Sequence, residues 1–290
     1  MKISLVTPSL NQARFLGASL ASVSTQDYPN LEHVVVDGGS TDGSLELIKQ
    51  HAGQLAWWCS EPDHGMYDAL NKGFAHTTGE IMGWLNSDDI LCPFALRAVD
   101  AIFSQFPEIK WLSSLSTSIW TPRGYCLGTA TIAGYARSAF LDGCYLPGHG
   151  RQYGWIPQES TFWRRSLWDK AGGRLNSSLK LAGDFELWAR FFEHTELIGT
   201  PTPLGGFRTH PSQKSRELDS YLSEAGAVLQ AARTRAAHRS TAYVRNFSVR
   251  THLAYVPGLR ACAVRMLGYT GSVVSVDAND QWHLGQQKFL

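Results

Sequence analysis

Four short apolar runs constrain this chain more than any other feature. They are ISLVTPS from residue 3, HVVVDGGS from 33, LAWWCSEP from 55 and EIMGWLN from 80, and each closes on polar residues. Between them lie stretches whose apolar spacing suits helices: residues 13–25, a helix from about Thr41 to His51 capped by Ser40 or Thr41, and residues 66–77. Alternation of this kind builds βαβ units, which fold into a parallel sheet flanked by helices. Ligands in such sheets bind outside the carboxyl ends of the strands. Four loops therefore gather on one edge. They hold Thr7, Pro8, Ser9, Asn11 and Gln12; Asp37, Gly38, Gly39 and Ser40; Glu61, Pro62, Asp63 and Gly65; and Asn86, Ser87, Asp88 and Asp89.

The last three loops each carry carboxylates, and like charges in one cleft destabilise it unless something compensates. A hard divalent cation, Mg or Mn, held by one or two carboxylates and by substrate phosphates, is the economical compensator. Composition narrows the alternatives. With 290 residues, 43% of them hydrophobic, the chain can bury one sizeable core and carry an appended segment. A net charge of +1 gives no global attraction to nucleic acid, and no recognised nucleic-acid-binding fold stands out, so nucleic acid is not expected as a partner. Five scattered cysteines without a CxxC pair read as reduced thiols in a cytoplasmic setting. The N-terminus, broken by Pro8, Asn11 and Arg14, does not read as a signal peptide, and no stretch approaches the roughly 20 apolar residues of a membrane span.

The stretches TPSLNQARFL, DGGSTDGS, EPDHGMYDALNKGF and GWLNSDD resemble, in order and spacing, the family-2 inverting glycosyltransferases, of the non-processive kind that serve polysaccharide and lipopolysaccharide synthesis. PQESTFWRRSLWDKAGG, LAGDFELWARF and FRTHPSQKS are similar to the acceptor-side half of that family. The resemblance covers about residues 1–215. It implies an α/β GT-A fold, a Rossmann-like and mostly parallel central sheet flanked by helices. The division it suggests is a domain over 1–217, donor half about 1–110 and acceptor half about 111–217, followed by a basic, mainly helical extension over 218–290. It also implies metal-dependent, inverting transfer of one sugar, UDP-sugars being the first choice among nucleotide-sugar donors, to a hydroxyl of a glycan or lipid-linked acceptor.

Residue by residue, the resemblance puts Thr7, Pro8, Asn11, Asp37, Gly39, Glu61 and Asp63 at the nucleoside. Asp68, Asn71 and Lys72, at i, i+3 and i+4 of one helix, fall on the helix that borders the donor. Asn86, Ser87 and Asp88 occupy the DxD position for metal and diphosphate, with Asn86 in place of the first aspartate. Asp88 is thus the remaining charged ligand, and Asp89 and His210 are further candidates for the metal. Asp184, near a helix N-terminus, corresponds to the catalytic base; the helix would lower its pKa and burial would raise it. Gln158 and Glu159 either face the acceptor or simply start a helix.

Plainer readings stand beside these. A lone strand-end aspartate is usually a turn residue, Asp184 could be a cap, and His210 could be an ordinary loop histidine. Tryptophans 57, 58, 163, 168 and 188 fit the core better than sugar stacking. Arg190, six residues after Asp184, suits a structural ion pair. Residues 225–276 hold arginines 233, 235, 239, 245, 250, 260 and 265 without an acidic residue. They form either a solvated basic face or a peripheral contact with an anionic membrane, which would place the protein at its cytoplasmic face. The rival to an enzyme is a catalytically silent sugar-nucleotide-binding scaffold in a polysaccharide-assembly complex, for which Asn86 is the argument.

Overall fold

A computed structural model describes residues 1–148, 153–238 and 268–290. The first half is β1 (Ile3–Ser9), α1 (Ala13–Ser24), β2 (Leu31–Asp37), α2 (Ser44–His51), β3 (Trp57–Ser60), α3 (Met66–Ala75) and β4 (Ile81–Trp84). β1 pairs in parallel with β2 and with β4, and β2 in parallel with β3, so four carboxyl ends share one edge as expected. β1 and β4 are buried along their whole length, which is why they read as unbroken apolar runs. α1 presents Phe15, Leu16, Ser19, Leu20 and Val23 to the sheet. α3 lies closer still: a Cβ on Gly73 would stand 2.4 Å from Val6 Cγ1 and 3.1 Å from Val36 Cγ2. α2 starts later than the sequence suggests. Ser40 turns to Asp37 instead, and the Asp42 carboxylate accepts the N–H and hydroxyl of Ser44 at 3.1 and 2.6 Å.

The second half continues through β5 (Ile90–Leu91), α4 (Ala95–Gln105), β6 (Trp111–Ser114), β7 (Ser116–Trp120), β8 (Cys126–Thr131), α5 (Arg137–Leu141), β9 (Thr161–Arg164) and α6 (Arg165–Lys170). Then come α7 (Gly183–His194), β10 (Ile198–Thr200), β11 (Gly205–Arg208), α8 (Leu218–Arg235), β12 (Tyr269–Val276) and β13 (Trp282–Phe289). The central sheet has the order β13-β12-β10-β6-β9-β4-β1-β2-β3, with β9 antiparallel to β4 and β6. A smaller sheet, β5-β11-β7-β8, ties the end of β4 to the second half. Behind the sheet an aromatic cluster packs α7 down: Trp84 stacks on Trp188 at 5.8 Å, with Trp163 against both. Trp163, Trp168 and Trp188 are core, whereas Trp57 and Trp58 are half-buried and Trp57 stacks on His76 at 3.7 Å.

The C-terminal residues depart from the helical extension that the sequence suggests. α8 is helical, but β12 and β13 form an antiparallel hairpin, and β12 joins β10 in parallel at the edge of the central sheet. Only Tyr269, Gly271, Val274 and Phe289 of the hairpin are buried, because one of its strands is an edge strand. Arginines 239, 245, 250, 260 and 265 lie outside the described residues. Arg233 and Arg235 are held within the fold by the Leu141 carbonyl and by Glu193, each at 2.6 Å. Among the described residues no helix is long and apolar enough to cross a membrane.

Candidate active site

Asp37 organises the loops at the carboxyl edge of the sheet. Its buried carboxylate accepts the Gly39 and Ser40 N–H groups at 3.2 and 2.9 Å, the Ser40 hydroxyl at 2.5 Å and the Ser60 hydroxyl at 2.6 Å. Asn11, at φ 52, joins the first loop to the second: its side-chain oxygen accepts the Thr41 N–H at 2.9 Å, and its own N–H donates to Ser40 Oγ at 2.7 Å. The third loop closes in through Asp63, whose Oδ2 would stand 2.8 Å from a Cβ on Gly38, while Oδ1 accepts the Gly65 N–H at 2.8 Å. Gly39, at φ 83, backs onto Pro62. Asn11, Asp37, Gly39, Glu61 and Asp63 thus meet at one strand edge. Thr7 and Pro8 differ. Both are buried within β1, and the Thr7 hydroxyl is spent on His33 Nε2 at 3.0 Å, so the strand's alternation turns Thr7 away from the cleft.

On α3 the shared face does three different things. Asp68 accepts the His64 N–H at 3.1 Å, and Lys72 pairs with Glu61 at 2.7 Å. Asn71 is committed to Leu175, donating to its carbonyl at 3.0 Å and accepting its N–H at 2.7 Å. Its amide therefore fastens the two halves of the chain together rather than facing a donor.

At the end of β4 the chain turns through Asn86, whose carbonyl accepts the Asp89 N–H at 3.0 Å. Asp88 reaches outward, 21% exposed, and its Oδ2 lies 3.0 Å from His210 Nε2. The His210 ring is held by Ser212 Oγ at 3.0 Å on Nδ1 and by Phe15, 4.4 Å between centroids. Asp89 points inward. It is 2% exposed, accepts the Arg208 N–H at 2.9 Å, and burial, then Asp88 and Glu159, raise its pKa well above the ordinary carboxylate range. Asp89 is therefore not presented as a metal ligand, and Ser87 is buried beside it. Arg208, not singled out from sequence, donates through Nε to the Asp88 carbonyl at 2.8 Å and fixes this turn. Among the described residues no group of three or more His, Cys, Asp or Glu is arranged to hold a metal alone. The donor set of Asp88 carboxylate and His210 imidazole fits a divalent cation that also takes diphosphate oxygens.

Asp184 begins α7, and its Oδ1 accepts the Phe185 N–H at 2.7 Å. Burial raises its pKa to about 6; the helix N–H groups act in the opposite sense and Glu224 adds to the rise. Desolvation thus outweighs the helix N-terminus. Tyr67 lies under this turn, its ring 2.6 Å from the position of a Cβ on Gly183 and its hydroxyl donating to the Leu181 carbonyl at 2.6 Å. Glu224, on α8, escaped the sequence reading because nothing in a polar helix 40 residues away signals it. Its carboxylate accepts the N–H groups of Lys180, Leu181 and Ala182 at 3.0 to 3.2 Å, which latches the turn that carries Asp184. Although burial opposes it, those bonds hold Glu224 below its ordinary pKa. Arg190 makes the expected structural pair, with Glu186 at 2.8 Å. Gln158 and Glu159 lie buried in a 3₁₀ turn, Gln158–Ser160, ahead of β9.

This arrangement of a mostly parallel sheet, a turn carrying Asp88 at its β4 end and a half-buried carboxyl opening a later helix defines a GT-A fold. Residues 4–103 match the family model described as Glycosyl transferase family 2. An uncharacterised glycosyltransferase of Mycobacterium tuberculosis is 40% identical over 108 residues, which are 36% of this chain and 41% of the relative. The match thus spans less than half of that relative's length. Two solved structures share the fold. One is S. aureus TarS 1–349 in complex with UDP-GlcNAc, with TM-score 0.63 and 15% identity over 88% of this chain and 73% of that one. The other is glucosyl-3-phosphoglycerate synthase from Mycobacterium tuberculosis, in complex with Mn2+, UDP and glucosyl-3-phosphoglycerate. Its TM-score is 0.55 at 20% identity, covering 80% of this chain and 79% of that one.

Proposed function

We propose that this chain is an inverting glycosyltransferase that moves one hexosyl group from a nucleotide sugar, UDP-sugars first, to a hydroxyl of a glycan or lipid-linked acceptor in cell-surface polysaccharide synthesis. The observation that carries this reading is Asp184. A carboxyl raised to about 6 is a stronger base than an ordinary aspartate and is still ionised at neutral pH, as proton removal from an acceptor alcohol requires. The nucleoside lies against Asn11, Asp37, Gly39 and Asp63, in a cleft whose loops are already tied together by Asp37 and Asn11. Asp88 and His210 would hold a divalent cation, Mn or Mg, together with the donor diphosphate. When bound, that cation neutralises charge on the leaving diphosphate. The two relatives of known structure were solved with UDP-GlcNAc or with UDP and Mn2+, which supports the donor class and the metal. Transfer on lipid-linked acceptors at the cytoplasmic face of a membrane belongs to the same reading, through the basic residues that follow α8.

The test is nucleotide release from a panel of UDP-, GDP- and dTDP-sugars with Mn2+ or Mg2+, comparing the native chain with Asp88→Ala and Asp184→Asn. Metal-dependent release from one donor, lost in both variants, is expected. Donor binding without turnover, unaffected by Asp184→Asn when glycan acceptors are supplied, would instead mark a silent binding scaffold.

A further inference from the structure

Two buried side chains in the turn ahead of β9 have oxygens without a hydrogen-bond partner. Gln158 and Glu159 are 8% and 5% exposed. The Gln158 amide is oriented by its Nε2, which donates to the Trp84 carbonyl at the end of β4 at 2.6 Å, and its Oε1 is left without a hydrogen-bond partner. Glu159 Oε1 and Asn86 Oδ1 are without partners too. The turn that carries them has little freedom to move away, since a Cβ on Gly205 would fall 2.4 Å from the Glu159 carbonyl oxygen. All three orphaned atoms are acceptors, and buried acceptors call for hydrogen-bond donors. Charge narrows the ligand further. Glu159 interacts with Asp89 on one side and Asp184 on the other, with Glu224 beyond Asp184. Cys92 and Tyr135 face it as well and bring no positive charge. The nearby guanidinium, Arg208, is bonded to the Asp88 carbonyl and lies over the Phe15 ring.

Resting on the glycosyl-transfer reading, we propose that Gln158 and Glu159 form the wall of the donor-sugar subsite, accept hydrogen bonds from hydroxyls of an uncharged hexosyl group, and exclude uronates. A hexose hydroxyl supplies the proton that each orphaned oxygen needs. A uronate places a carboxylate there, which offers only acceptors and adds a negative charge to a wall where Glu159 already faces Asp184.

The experiment compares pairs of donors that differ only at C6: UDP-glucose with UDP-glucuronate, UDP-galactose with UDP-galacturonate, and GDP-mannose with GDP-mannuronate. The native chain is expected to turn over the hexose of its preferred pair at least about 100-fold faster than the uronate at about pH 8, with Glu159→Gln narrowing that ratio about tenfold. A second readout needs no variant. Burial, then Asp184, raises Glu159 to about 7, so the native ratio narrows toward about pH 6 as the carboxyl takes a proton. Any rate loss common to both donors cancels in the ratio. Uronate turnover within a few-fold of the hexose, or a ratio unmoved by both Glu159→Gln and pH, overturns the proposal. If no donor is turned over, the transfer reading fails, and calorimetric binding of the same pairs decides the wall separately. Binding of hexose but not uronate donors sustains it, and equal binding refutes it.

Discussion

Asp184 shows how one residue's surroundings set its chemistry. A carboxylate at the start of a helix is stabilised by the N–H groups, yet here burial dominates and the pKa rises to about 6. A base must be ionised to accept a proton, so turnover should increase as pH rises through about 6 and fall away below it. Asp184→Asn should lower acceptor-dependent turnover by about 10²–10⁴-fold while donor binding is retained, as checked by steady-state rates beside calorimetry. His33 gives a stability counterpart. Burial, and secondarily His51, lowers its pKa to about 3, so the folded chain keeps it neutral. The unfolded chain takes up a proton below about 6.5, so stability conferred by this site is complete above that pH and is lost progressively toward about 3. Urea midpoints across that range, compared with those of His33→Gln, measure the contribution. At this scale the sequence was a partial guide. Asp37, Asp88 and Asp184 announce themselves because charge follows or opens a regular element. Thr7 misleads because hydroxyl identity does not reveal which face of a strand it occupies, and Asn71 because its partner, Leu175, is remote in sequence.

Among the elements, α3 and the turn before α7 show how packing positions the site. α3 touches β1 and β2 through bare backbone at Gly73, and Gly73→Ala would push a methyl group into Val6. That overpacking should cost about 1–3 kcal/mol and appear as a lower melting temperature without a change in the pH profile. The turn before α7 depends on Glu224. Glu224→Ala leaves the Lys180, Leu181 and Ala182 N–H groups without their acceptor, and it removes a charge that helps to raise Asp184. Glu224→Gln removes the charge but keeps an acceptor oxygen, so its acid limb should shift to lower pH with a smaller loss of kcat than in Glu224→Ala. A lower melting temperature with an unmoved limb would make Glu224 merely structural. The βαβ alternation was readable at this scale because buried parallel strands are apolar throughout. The start of α2 was not, since Ser40 is drawn to Asp37 and the helix opens only at Ser44, behind Gly43 at φ 98.

At the level of the whole molecule, the edge proposed for the donor is built from the first four strands, while the second half supplies Asp184, His210 and the Gln158–Glu159 turn. The halves are joined by α3 to Leu175, by Arg208 to Asp88, and by an aromatic core that includes Trp84 and Trp188. The C-terminal hairpin extends that same sheet, which the sequence did not show because its strands are short of apolar residues and one of them is an edge. Gly271 and Phe289 pack against Tyr135 and Gly134, so removing residues 269–290 should uncover β10 and destabilise the domain. A substantial fall in melting temperature of the truncated chain would confirm this, and unchanged melting would contradict it. The central claim is that Asp184 takes the acceptor proton in a glycosyl transfer supported by Asp88. The most direct measurement is the pH dependence of acceptor-dependent nucleotide release, in the native chain and in Asp184→Asn. The account predicts a native acid limb near about 6 and, in the variant, residual turnover without that limb. Native-level turnover with the same limb in Asp184→Asn would contradict it.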